Sequence, residues 1–100
     1  MKLADLLAED RRLVILRALD EAQGVVANDH VLAIALAHLG HEVARDIVRA
    51  DLAWLEAHRL VETTVITAPA PLWRVRLRQA GQDVARGRLH PGVARPEAAP

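Results

Sequence analysis

Apolar positions in the first quarter of the chain recur at helical intervals. Leu3, Leu6 and Leu7 share one face, and Leu13, Leu16 and Leu19 continue it, with Val14 and Ile15 widening the stripe. The pattern predicts helix from Lys2 to Ala22. Asp10 can cap a second start at Arg11, so these residues allow one helix or two. Gly24 ends the segment. Asn28 then reads as the N-cap of a helix over Asp29 to Leu39, and Gly40 takes its C′ position, where glycine turns left-handed without steric cost. The run VLAIALAHL within this helix is apolar nearly all round, as in helices buried on more than one side. A third helix is predicted from about Ala44 to His58. Ile47, Val48, Leu52 and Leu55 mark its buried face, and Arg45, Asp46, Arg49 and Ala53 fall on the other side.

The period then shortens to two. Val61 to Thr67 (VETTVIT) is β-branched and strand-like. Ala68 to Leu72 holds Pro69 and Pro71 and reads as a loop. From Trp73 to Arg78 the alternation is strict: Trp73, Val75 and Leu77 on one face, Arg74, Arg76 and Arg78 on the other. A short helix over Gln79 to Arg86 follows, ended by Gly87. From Arg88 the chain carries Pro91, Pro96 and Pro100 and few large apolar groups, and is expected to be mobile or extended. The expected organisation is one domain over residues 1–87 and a flexible tail over 88–100.

Composition narrows the function classes. A chain of 100 residues, 52% hydrophobic and 26% charged, is a single folding domain. With Trp54 and Trp73 as its only aromatic residues, the core must be aliphatic. The absence of cysteine excludes a disulfide scaffold, a thiolate nucleophile and a cysteine-ligated metal. No stretch approaches the roughly 18–20 apolar residues of a membrane span. Asp5, Glu9 and Asp10 precede any long apolar run, which argues against a signal peptide. These features point to a soluble, cytoplasmic protein. There is no Ser, Cys or Tyr, and Thr63, Thr64 and Thr67 fall in a predicted strand, so no nucleophile–base–orienter set can be assembled and an enzyme is not expected. His38 and His41 stand three apart, but Gly40 breaks the helix between them and no second pair completes a site, so neither metal nor cofactor is expected. His30 and His58 read as helix-end residues, Asp51 as a partly buried structural acid, and Glu56 as exposed.

The order helix, helix, Gly-centred turn, helix, hairpin describes a helix-turn-helix followed by a wing. The run LAWLEAHRLVE (Leu52 to Glu62), the alternating strand and LRQAGQDVARG (Leu77 to Gly87) resemble winged helix-turn-helix domains of the ArsR/MarR kind. The opening EDRRLVILRAL (Glu9 to Leu19) and the DLAWL run resemble, more narrowly, the small winged-helix proteins carried by Mu-like prophages. The resemblance covers residues 1–87. It implies a mainly α fold with a small β-hairpin wing, in a non-catalytic DNA-binding protein of a phage or prophage, acting in transcription regulation. Two positions depart from the family pattern. Arg59 stands where the family has glycine; a left-handed Arg would cost about 1–2 kcal/mol, so this helix has reason to end differently. Ala44 stands where a capping Ser or Thr is common.

Charge is divided along the chain. Residues 1–62 hold seven basic and eleven acidic groups, and residues 63–100 six basic and two acidic, for a formal net charge of zero. Bulk attraction to a polyanion is thereby excluded, and any DNA site must come from local asymmetry. Arg74, Arg76 and Arg78 at two-residue steps lie about 6.6–7 Å apart, near the phosphate spacing of one DNA strand. The bland alternative is a solvated strand face, paired with Glu62. Arg45 and Arg49 share a helix face, where an Arg can pair with guanine or hold phosphate. Asp46 and Glu42 beside them oppose DNA, and Arg45–Glu42 and Arg49–Asp46 ion pairs are the alternative. Trp54 fits either packing against the first helix or the wing, or a dimer contact. The expected partners are double-stranded DNA and a second copy of the chain as a homodimer, with no membrane. The candidate DNA-binding residues are Arg45, Asp46, Arg49, Arg74, Arg76 and Arg78. The rival reading is a protein-interaction or phage-assembly adaptor on the same fold.

Overall fold

The computed structural model describes residues 2–96. Its first element, α1 (Leu3–Glu21), runs 19 residues without a break at Asp10, so the opening stripe forms one helix. A tight turn over Gln23–Val25 follows, with Gly24 at φ 69° and Val25 at φ 51°. Three residues of strand, β1 (Val26–Asn28), lead into α2 (Asp29–His38) and α3 (Arg45–Ala57). Strands β2 (Val61–Ile66) and β3 (Leu72–Leu77) and a short α4 (Gln79–Ala85) complete the order. Among the described residues the fold is α+β: four helices against a three-stranded antiparallel sheet of order β1-β3-β2. The expected hairpin is present, and β1 is an unpredicted third strand on the other edge of β3.

Helix ends explain where the elements stop. Asn28 caps α2, its Oδ1 accepting the Val31 N–H at 2.8 Å. At the other end Gly40 takes φ 94°, while the N–H of His41 donates to Leu36 O and that of Gly40 to Ala37 O, at 2.8 and 3.2 Å. The end of α3 repeats this closure with Arg59 in place of glycine. Arg59 has φ 60°, and Arg59 N and Leu60 N donate to Glu56 O and Leu55 O at 2.9 and 3.0 Å. The helix therefore ends as a glycine-terminated one does, contrary to the expectation from its sequence.

The core is aliphatic. Leu13, Ile15, Leu16 and Leu19 of α1 pack with Leu32 and Leu36, with Val48, Leu52 and Leu55, and with Val61, Val75 and Leu77 of the sheet. Val84 and Ala85 of α4 close one side. Gly81 lets α4 approach the junction of α3 and β2: a Cβ there would lie 2.1 Å from the Leu60 carbonyl oxygen. Along β3 the predicted alternation holds. Val75 and Leu77 are buried, Trp73 is half-buried, and Arg74, Arg76 and Arg78 are exposed.

Three expectations need correction. Ile47 faces outward, because the stripe on α3 is completed by Asp51 rather than by Ile47. Helix α2 buries only Asp29, Leu32 and Leu36; Val31 and Ile34 are exposed, since no element among the described residues covers that side. Residues 88–96 fold back instead of standing free. Val93 is buried, Ala94 N donates to Glu9 O at 3.1 Å, and Arg12 Nη1 donates to Gly92 O at 2.8 Å. Residues 97–100 of the expected tail lie outside the described residues.

Candidate nucleic-acid interface

The outer face of the sheet is built by register. Arg76 stands on central strand β3 between Val26 of β1 and Glu62 of β2, and Arg74 between Asn28 and Thr64. Glu62, Thr64, Arg74 and Arg76 line a shallow depression of about 170 Å³. Among the described residues Arg74, Arg76 and Arg78 form no ion pair; Glu62, although opposite Arg76, makes none with it. The alternation that buries Val75 and Leu77 leaves Arg74 and Arg76 exposed on the opposite side of β3, and Arg78, the N-cap residue of α4, is exposed beside Gln79 and Gln82.

The basic residues of α3 are placed differently. Arg49 turns inward to Asp29, with its Nε donating to Asp29 Oδ2 at 2.9 Å. Asp29 is fully buried, and its other oxygen accepts the Trp73 N–H at 3.0 Å. Arg49 also lies over the Trp73 ring, 5.5 Å from its centroid. Burial pushes the Asp29 carboxyl up, but the Trp73 N–H and the Arg49 guanidinium outweigh it and hold the group below the ordinary carboxylate range. One carboxylate thus joins the start of α2, the middle of α3 and the start of β3. Arg45 is more exposed; its Nη2 donates to His30 Nδ1 at 2.9 Å, and its Nε lies 3.9 Å from Asp29. Neither Arg49–Asp46 nor Arg45–Glu42 is formed. Asp46 lies in the first turn of α3 and accepts from Ile47 N at 3.0 Å. Besides Arg45 and Asp46, the exposed positions of α3 are Ile47, Ala50, Ala53, Glu56 and Ala57. The structure therefore sets Arg74, Arg76 and Arg78 at exposed positions along β3 and its end, and ties the partly exposed Arg49 to Asp29.

Sequence reasoning missed Asp29 as the organising residue. An acid after an N-cap is ordinary, and only the tertiary approach of β3 and α3 buries it. A second cluster was legible only in pieces. Asp51 is nearly buried and receives Arg11 Nε at 2.6 Å, with Arg12 Nε 3.8 Å away. Arg12 lies over Trp54 at 4.0 Å, and His58 stacks on the same indole at 3.8 Å. His90 meets Trp54 and His58 edge-on. Trp54 thus packs against α1 and the returning tail. Glu56 accepts both the N–H and the hydroxyl of Thr63, at 2.9 and 2.5 Å, which lowers its pKa and ties α3 to β2. His41 Nε2 lies 2.6 Å from Asp10 Oδ2. Among the described residues no group of three or more His, Cys, Asp or Glu could hold a metal ion, and no helix is long and apolar enough to cross a membrane.

No family model matches the chain. It is similar to the uncharacterized protein gp26 of Escherichia phage Mu, with 43% identity over 93 residues that span 92% of this chain and 93% of that protein. It is also similar to an uncharacterized protein of Haemophilus influenzae, with 43% identity over 61 residues, 61% of this chain and 59% of the other.

Proposed function

The chain belongs to the family of the phage Mu protein gp26, and on that footing we propose that it is a phage winged helix-turn-helix domain that binds duplex DNA without catalysis. The element order supports the winged-helix reading: helix, short strand, two helices, then a hairpin whose strand pairs back with the short one. The observation that carries the DNA reading is the row Arg74, Arg76, Arg78, exposed and without ionic partners among the described residues. Such a row suits phosphates. It holds the backbone and carries little sequence information. Arg45, at the exposed start of α3, adds a further contact. Base reading by α3 is minor on this view, because its outward side is mostly alanine and Arg49 is committed to Asp29.

Fluorescence anisotropy on random duplex DNA across a salt series tests the proposal. Wild type is expected to bind with a log–log salt slope of several units, and each Arg→Ala change in the row to lower the slope by about one. Absence of binding at low salt sinks the DNA reading. The outward side of α3, with Ile47, Ala50, Ala53 and Ala57 around the acidic Asp46, favours a second reading in that event, an assembly adaptor that docks protein on α3.

A further inference from the structure

The first turns of α1 stand outside the packed body, and they are apolar. Leu3 is 69% exposed, Leu6 47% and Leu7 42%. The N-cap residue Lys2 makes no side-chain cap bond that would hold this end by itself. Further along the same helix an open groove of about 540 Å³ separates α1 from α2. Val14, Ala18 and Ala35 form its apolar part, Leu39 lines it with 64% exposure, and Asp10, Arg17, Glu21 and His38 supply its polar lining. Steps of three and four residues place Leu3, Leu7, Val14, Ala18 and Glu21 on one stripe of α1. The exposed leucines and the groove therefore share a face of a single helix.

We infer that the groove is filled by the N-terminal overhang of α1 from a second copy of this chain, in a twofold dimer. The two α1 helices run antiparallel, each overhang lying in the other's groove. Leu3 and Leu7 are four residues apart, as are Val14 and Ala18. One alignment therefore seats Leu7 on the partner's Val14 and Leu3 on the partner's Ala18, and the twofold axis repeats both contacts. Reciprocity of this kind makes a single surface self-complementary, as a closed dimer requires. Charge agrees with the alignment. Lys2 and the positive end of the α1 dipole come beside the partner's Glu21, at the negative end of the other α1. An arbitrary apolar ligand would cover the groove but leave the overhang bare; a second copy covers both.

The inference does not rest on the DNA reading. Light scattering on eluting protein tests it. Wild type is expected to show the mass of two chains. Leu7→Glu is expected to run as one chain while keeping its far-ultraviolet circular dichroism, because Leu7 is outside the core. Lys2→Glu and Glu21→Lys should each weaken the dimer several-fold, and the two together should restore it. A single-chain mass for wild type overturns the inference, as does a Leu7→Glu variant that remains paired. Failure of the double reversal to restore pairing overturns the antiparallel alignment.

Discussion

Arg49 shows how a residue's chemistry depends on what is buried beneath it. On sequence it is an exposed base-reading candidate. In the fold its guanidinium balances the fully buried Asp29 carboxylate, with only Arg45 at 3.9 Å as a second cation. Removing one partner of such a pair leaves an uncompensated charge, which costs roughly 3–5 kcal/mol. Arg49→Ala is therefore expected to lower the thermal midpoint strongly, whatever it does to DNA binding. An unchanged midpoint would return Arg49 to the list of free surface cations. Arg59 makes the opposite case. Its φ of 60° is paid for by the α3 closure around it, and glycine relieves that strain. Arg59→Gly should stabilise the protein by up to about 1 kcal/mol, the relief being partly offset by the greater freedom of glycine in the unfolded chain. Chemical denaturation measures it, and a destabilised variant would mean that the Arg59 side chain makes a compensating contact.

Elements differ in how far the sequence discloses them. Helices α1 and α3, the hairpin and the face of β3 were legible because each is long enough for a period to repeat, and α2 because Asn28 and Gly40 mark its ends. Strand β1 was not: three residues show no period, and it exists because β3 offers it an edge. The side of α2 that stays bare was equally hidden, since VLAIALAHL looks the same whether covered or not. The segment after Gly87 misled for another reason. Its composition is that of a free tail, yet Val93 finds a core site and Gly92 lets the chain pass against Trp54. A Cβ at Gly92 would lie 2.4 Å from Trp54 Cζ2, and the residue has φ 85°. Gly92→Ala is expected to lift this segment off the indole, and truncation after Gly87 to remove it altogether. Both should shift Trp54 emission to the red and lower the melting temperature. Emission unchanged by truncation would show that the segment does not cover Trp54 in solution. Of the candidate site, the row on β3 was readable from alternation alone. The commitment of Arg49 was not, because its partner lies twenty residues away on another helix.

Across the whole molecule the arginines divide between two tasks: Arg11, Arg49 and Arg86 pair with acids, and Arg74, Arg76 and Arg78 do not among the described residues. Carboxylates tie elements together. Asp20 joins α1 to α4 through Arg86 and Gln82, Asp29 joins α2 to α3 and β3, Asp51 joins α3 to α1, and Glu56 joins α3 to β2. The basic groups of β3 are left over, so a chain of zero net charge still has a positive face. This sorting has a consequence for pH. The Arg86 and Gln82 hydrogen bonds lower the Asp20 pKa, the Thr63 bonds lower that of Glu56, and at Asp29 the burial penalty is outweighed by Trp73 and Arg49. A carboxylate whose folded pKa lies below its unfolded one contributes stability that is complete above the unfolded value and is lost as pH falls through the folded one. Unfolded Asp and Glu titrate near about 4. The melting temperature should therefore be flat with respect to these three groups from neutrality down to about pH 5, then fall steeply below about pH 4. Glu56→Gln should flatten part of that fall, because it removes one of the three titrations while keeping an acceptor for Thr63. Melts monitored by circular dichroism at successive pH values measure both curves. A wild-type midpoint that holds through pH 3 would mean that these carboxylates are no better placed in the fold than in the unfolded chain. The inter-element ties would then contribute geometry without stability.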